Sequence, residues 1–176
     1  VRAFAGQGFK SKYESYEAMV KDGYARGVPM GGDYSGEKAP QILVWAVKDP
    51  IAPNLDRIQI IKGWLENGEM KDQVFNVVAS GNRLREDGTV DPIDAPINLK
   101  TGQFNTEKGS PELMGLWIDP DFDPKQQAYY YVRVLQLPTA RWTLYDELKA
   151  NVKFADDVKR EIVERAWGSP IWHEVN

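Results

Sequence analysis

The chain has 176 residues, 42 % of them hydrophobic and 27 % charged, with a net charge of −4. These values describe a folded domain with room for a real core rather than a disordered chain, and the acidic balance provides no basic footprint for nucleic acid. Zero cysteines exclude disulfides, thiolate metal sites and cysteine nucleophiles, while one histidine, His173, is too few for a histidine-based metal centre or catalytic triad within the chain. No apolar run is long enough to span a membrane, and no charged-then-apolar leader opens the sequence. A soluble protein is therefore expected, either cytoplasmic or exported. The chain starts at Val1 in an apolar-rich segment, which reads as a piece of a larger protein.

In chain order, "VRAFAGQGF" reads as a strand with glycine kinks. "SKYESYEAMVKDGYARG" predicts a helix over about residues 11–27, with Ser11 and Glu14 as a capping box and Gly27 as terminator. Tyr13, Tyr16, Met19, Val20 and Tyr24 fall at helical spacing there. "VPMGGDYSGEKAP" is a glycine-rich loop without the Lys-Ser/Thr ending of a phosphate loop, so a turn needing positive φ at Gly31 or Gly32 is expected. "QILVWAVKDP" is a strand covered on both faces, and "LDRIQIIKGW" alternates, with Ile58 and Ile60 opposite Arg57 and Gln59. "DQVFNVVASG" is a further strand, and residues 82–110 read as a long turn-rich connection with short strands in it. "ELMGLWIDP" and "QAYYYVRVLQLP" are strands, and "TLYDELKAN" is a helix capped by Thr143. "ADDVKREIVERAW" fits either a helix or an extended arm, giving a second helical insertion over about 142–165. "GSPIWHEV" closes the chain as a strand whose Pro170 favours an edge or a strand start. Short strands joined by turns predict one mainly β domain over 1–176: an antiparallel, immunoglobulin-like β-sandwich with two or three peripheral helices.

The stretch most like a site is "DPDFDPKQQAYYYVRV". Asp119, Asp121 and Asp123 match the first ligands of a calcium loop. The glycine and bidentate glutamate that such a loop requires are replaced by Pro124 and Tyr130. Asp-Pro pairs are also turn formers, and "AYYYV" has the spacing of an immunoglobulin F strand with Ala128, Tyr130 and Val132 at the tyrosine corner. On that reading Tyr130, Val132 and Val134 point inward, and Tyr129, Tyr131 and Arg133 point out. No metal site is expected; an irregular one on the three aspartates is the alternative. Of six tryptophans, Trp45 and Trp117 read as core, whereas Trp64, Trp142, Trp167 and Trp172 lie at strand ends or in loops and keep a sugar-stacking role open. His173 reads as a solvent-facing or core-edge residue.

The strings "YARGVPMGGDY", "LVWAVKDPIAPNLDRIQIIKGW", "VFNVVASG", "LWIDPDFDPKQQAYYYVRVLQLPTARWTLYD" and "ERAWGSPIW" together resemble the C-terminal region of the bacterial domain-of-unknown-function family DUF3604. That family is similar to the PHP superfamily of metal-dependent phosphoesterases. The resemblance covers nearly the whole chain. It implies a β-sandwich that follows a catalytic barrel-like domain, with the metal-binding histidines and carboxylates upstream. No residue here can be matched to those ligands. The expected function is a non-catalytic accessory domain of a metal-dependent hydrolase, with the upstream catalytic domain as partner and any divalent metal held there. No cofactor is expected in this region. A carbohydrate- or ligand-binding module and a self-contained aspartate enzyme are the alternatives. Arg26, Met30, Gly31, Gly32 and Asp33 form the loop expected to reach the catalytic domain. This segment, with Tyr129 and Tyr131, is expected to carry the most exposed apolar surface.

Overall fold

The computed structural model describes residues 1–94 and 97–175. Strand β1 (Arg2–Gly6) is followed by helix α1 (Tyr16–Arg26), then β2 (Gly27–Pro29) and β3 (Asp33–Tyr34). Next come β4 (Gln41–Val47), the long strands β5 (Leu55–Glu66) and β6 (Glu69–Ala79), β7 (Glu112–Ile118), β8 (Ala128–Gln136) and β9 (Thr139–Ala140). Helix α2 (Trp142–Ala150) and the short strands β10 (Glu161–Ile162), β11 (Arg165–Trp167) and β12 (Ile171–His173) complete the order. The fold is mainly β, as expected. A four-stranded sheet runs β2-β1-β4-β7, and a six-stranded sheet runs β3-β12-β8-β5-β6 with β11 also on β8. The ladders are antiparallel except for β12 on β3, which is parallel, so the expected all-antiparallel arrangement is corrected at that edge. Pro170 directly precedes β12, where its missing N–H costs no ladder bond. No helix among the described residues is long and apolar enough to cross a membrane.

Period-two alternation decides which side chains meet. Ala3, Ala5, Ile42 and Val44 of the first sheet share one core cluster with Ile58, Ile60, Tyr130, Val132, Val134 and Ile171 of the second. The alternate residues Phe4 and Leu43 point the other way, and with Phe9 they bury Met19 of α1. Both faces of β1 and β4 are therefore covered, which is why "QILVWAV" is nearly unbroken in its apolar character. Strand β5 keeps the expected facing, with Ile58 and Ile60 in the core and Gln59 on the other side, but its burial does not alternate. Ile58 to Gly63 are all buried, because β5 lies between β6 and β8 and its outward residues are covered by theirs. Gln59, for example, accepts from Arg133 Nε at 2.8 Å and donates to Asn76 at 2.8 Å. The turn into β6 is Asn67-Gly68 with φ 53° and 82°, the two-residue hairpin whose handedness suits twisted strands.

Both helices begin or end elsewhere than the spacing predicts. Helix α1 starts at Tyr16, with Ser15 Oγ accepting the Ala18 amide at 3.2 Å, so the Ser11–Glu14 capping box does not form. The preceding residues are instead folded back: the Tyr13 hydroxyl accepts from the Lys10 amide and donates to Asp22 at 2.6 Å. Gly27 ends the helix as expected. Thr143 is not the α2 cap. It lies inside the first turn, and its hydroxyl donates to the Lys159 carbonyl at 2.6 Å. The helix stops at Ala150, where Asn151 turns left-handed at φ 52°, and the rest of the 142–165 insertion is not helical: a loop with a turn closed by the Val158 amide on the Ala155 carbonyl leads to β10 on β9 and β11 on β8. Among the described residues there are thus two α-helices. The described part of residues 82–110 forms isolated bridges, Leu84 with Val90 and Ile97 with Phe104, rather than strands. Arg83 holds its start by bonding Asp56, the Ser80 carbonyl and the Asp91 carbonyl.

The return chain after α2 is fixed by Glu147, whose carboxylate takes both Arg160 nitrogens at 2.7 Å and the Phe154 amide at 2.6 Å. The Arg160 hydrogen bonds hold this carboxyl below the usual glutamate range. A depressed folded value means that the pair's stabilisation is complete above the unfolded glutamate pKa and is lost as pH falls through the folded value. The protection factor of the Phe154 amide, its exchange rate relative to an unstructured chain at the same pH, should therefore fall selectively in acid while the β5 amides stay protected; uniform loss of protection along the chain would contradict this.

Candidate functional site

The acidic stretch resolves into a corner built around a buried ion pair. Asp119 directly follows β7, and its Oδ2 lies 2.6 Å from Lys62 Nζ of β5, with both side chains almost fully enclosed. The Tyr130 hydroxyl of β8 donates to the same oxygen at 2.7 Å, and Lys62 also donates to the Asp121 carbonyl at 2.8 Å. Burial, and then the neighbouring carboxylate, push the Tyr130 hydroxyl far above its ordinary pKa, so it remains a donor. Asp119 Oδ1 accepts the Asp121 amide, and Asp123 accepts the Lys125 amide at 2.9 Å. The three aspartates thus serve different local bonds instead of converging on one point. Among the described residues, no three His, Cys, Asp or Glu side chains are grouped to hold a metal ion.

Strand β8 faces as its alternation predicts: Ala128, Tyr130, Val132 and Val134 are buried, and Tyr129, Tyr131 and Arg133 are partly open on the other side. Tyr130→Phe should cost about 1.5–3 kcal/mol, because the lost partner is a charged carboxylate, whereas Tyr129→Phe should cost well under about 1 kcal/mol. Denaturant melts of the two variants check this, and equal losses would contradict the assigned facing.

The Arg26–Asp33 loop joins the two sheets. Arg26 ends α1 and pairs with Asp22 at 2.6 Å. The Met30 amide donates to the Ala3 carbonyl at 3.0 Å, and the Met30 side chain packs against the core. Gly31 takes φ 92°, as expected, and donates to the Pro170 carbonyl at 2.9 Å. Gly32 accepts the Trp172 amide at 3.1 Å, and Asp33 is exposed beside Trp172. The loop's apolar side chains are half-buried, so it is not the exposed apolar surface that was expected.

That surface lies on the outer face of the six-stranded sheet. The first sheet's outer face is closed by α1, but here Tyr129, Tyr131 and Ile61 are joined by exposed Met70, Val74, Trp167 and Trp172. Tyr129 and Tyr131 are themselves half-buried, because their rings lie 6.2 Å apart and nearly parallel at 14°, and Tyr129 meets Trp172 at 5.5 Å. Tyr129 reaches across to β5: a Cβ at Gly63 would stand 2.2 Å from its ring, so only glycine leaves the ring its place. A hollow of about 190 Å³ opens beside it, lined by Trp64, Leu65, Met70 and Trp172. The remaining tryptophans fall as expected for Trp117, which packs on the core, while Trp142 is exposed. Trp45 is partly buried against α1, with its indole donating to Glu112 at 3.2 Å. His173 is buried, its ring nitrogens 3.1 Å and 3.3 Å from the Tyr34 and Pro124 carbonyls. Sequence reasoning did not find this face as a unit. The signal available was Gly63, an isolated glycine inside a strand, which marks close approach by another group.

Fold and site together define a mainly β domain with a structural acidic corner and one aromatic sheet face left open. The chain belongs to the family described as "Protein of unknown function (DUF3604)", whose model matches residues 1–175. No curated protein and no solved structure matches it.

Proposed function

We propose that this chain is a non-catalytic accessory domain, an immunoglobulin-like β-sandwich, of a bacterial PHP-type metal-dependent hydrolase. The observation that carries this reading is the use made of the buried ionisable groups. Lys62 and Asp119 bond each other and Tyr130, Asp56 bonds Arg57 and Arg83, Glu147 bonds Arg160, and His173 lies between two carbonyls. Each of these groups braces the fold, so the metal and its ligands would belong to an upstream catalytic domain of the same protein. The inward Ala128-x-Tyr130-x-Val132 step, with its hydroxyl tied back to Asp119, supports the immunoglobulin-like comparison.

In this reading the contact with the catalytic domain is made by Arg26, Met30, Gly31, Gly32 and Asp33, where a glycine turn joins the sheets and leaves Arg26, Gly31 and Asp33 exposed. The test is to substitute Met30 and Asp33 by alanine in the protein that carries both domains and to measure hydrolysis and domain association. Loss of either supports the reading. If both stay normal, the loop is only a connector and this contact is wrong. The alternative of a ligand-binding module is favoured by one feature, the open aromatic face.

A further inference from the structure

Direct pairing places four aromatic side chains along one side of β8. Trp172 is opposite Tyr129, Tyr131 follows two residues on, and Trp167 is opposite Arg133. Paired residues in a ladder share a face, so all four project from the outer side of the sheet. Two residues of strand advance about 6.6 Å, so the strip is roughly 13 Å long. Tyr129 is laid across Gly63, and Tyr131 lies within 14° of parallel to it, so each ring has one face against the protein and one face free. Trp172, tilted 57° from Tyr129, rises as a wall beside the hollow.

We infer that this strip binds a neutral, extended β-linked glycan, whose pyranose rings stack their C–H faces on Tyr129 and Tyr131. An aromatic ring presents a flat, electron-rich surface suited to such contacts, and its polar tip stays wet. The charge distribution favours a neutral ligand. Exposed Asp72, directly opposite Gly63, and Glu174 at the hollow are offset by Arg133 and exposed Arg165, whose paired positions put them on the same face, so the strip carries no net charge to draw an ionic ligand. Asp72, Glu174 and Gln127 at the margin can accept or donate to equatorial hydroxyls. A β-1,4-linked chain is a flat ribbon that can follow a straight strand, whereas an α-1,4-linked chain coils away from it. The inference adds a ligand to the accessory-domain reading without depending on it, because the strip is complete within these residues.

The test is calorimetric titration of this chain with cellohexaose, with maltohexaose as the coiled counterpart. Cellohexaose should bind and maltohexaose should bind more weakly. Trp172→Ala and Tyr131→Ser should each weaken cellohexaose by at least about tenfold, as expected for a lost stacking ring, with near-ultraviolet circular dichroism showing the fold intact. Tyr129→Phe keeps the ring and should retain binding. Absence of cellohexaose binding, equal binding of both sugars, or binding unchanged in folded Trp172→Ala and Tyr131→Ser would overturn the inference. So would hydroxyl-radical footprinting that finds Trp172 and Tyr129 covered in the protein carrying the catalytic domain, since the face would then be a protein interface.

Discussion

Replacing Lys62 by methionine should destabilise the fold by about 3–5 kcal/mol, the range for removing one partner of a buried ion pair. The side chain is almost wholly enclosed, and Asp119 would be left with a buried negative charge and only the Tyr130 hydroxyl and local amides to answer it. The pair itself need not contribute that much, because both charges were desolvated to form it. Replacing the whole set, Lys62→Met with Asp119→Leu and Tyr130→Phe, should therefore recover at least half of the loss. Urea melts of the single and triple variants separate the two quantities. A single variant within about 1 kcal/mol of the parent would mean that water reaches the pair and that the corner is not closed.

Phe4→Ala should cost a similar amount, about 3–5 kcal/mol, by opening a cavity that the surroundings cannot refill. Phe4 is fully buried under α1, in edge contact with Tyr24 at 4.9 Å, and a Cβ at Gly23 would stand 2.5 Å from its ring. The helix is thus seated on Phe4 through a glycine, and the substitution should loosen α1 before it disturbs β5 and β8. Hydrogen exchange resolved by residue checks that order. Equal loss of protection in α1 and β8 would contradict it.

The strands were legible because their signal is local. The inward Tyr130, Val132 and Val134 and the doubly covered "QILVWAV" follow from alternation alone, and the turn at Gly31 follows from its glycines. What was not legible depends on partners distant in the chain. Nothing near Lys62 says that it will meet Asp119, since only the juxtaposition of β5 with the end of β7 brings them together. The α1 start was misplaced because Ser11-x-x-Glu14 satisfies the local capping rule, while the tether from Tyr13 to Asp22 is a tertiary bond that overrides it. The extent of α2 was overdrawn for the same reason: the segment after Ala150 is drawn into extended pairing by β8, β9 and the Glu147–Arg160 pair. The aromatic face was half visible, in Tyr129 and Tyr131. Trp167 and Trp172 join it through strand pairings that no short window of sequence contains.

The central claim, that the ionisable groups of this chain brace a fold and do no chemistry, is tested most directly by a hydrolysis assay. The purified 176-residue chain would be incubated with a phosphomonoester and a phosphodiester substrate, each with magnesium, manganese or zinc added. The account predicts no turnover above the metal-only control. Metal-dependent turnover that persists through purification and disappears in Asp121→Asn or Asp123→Asn would contradict it.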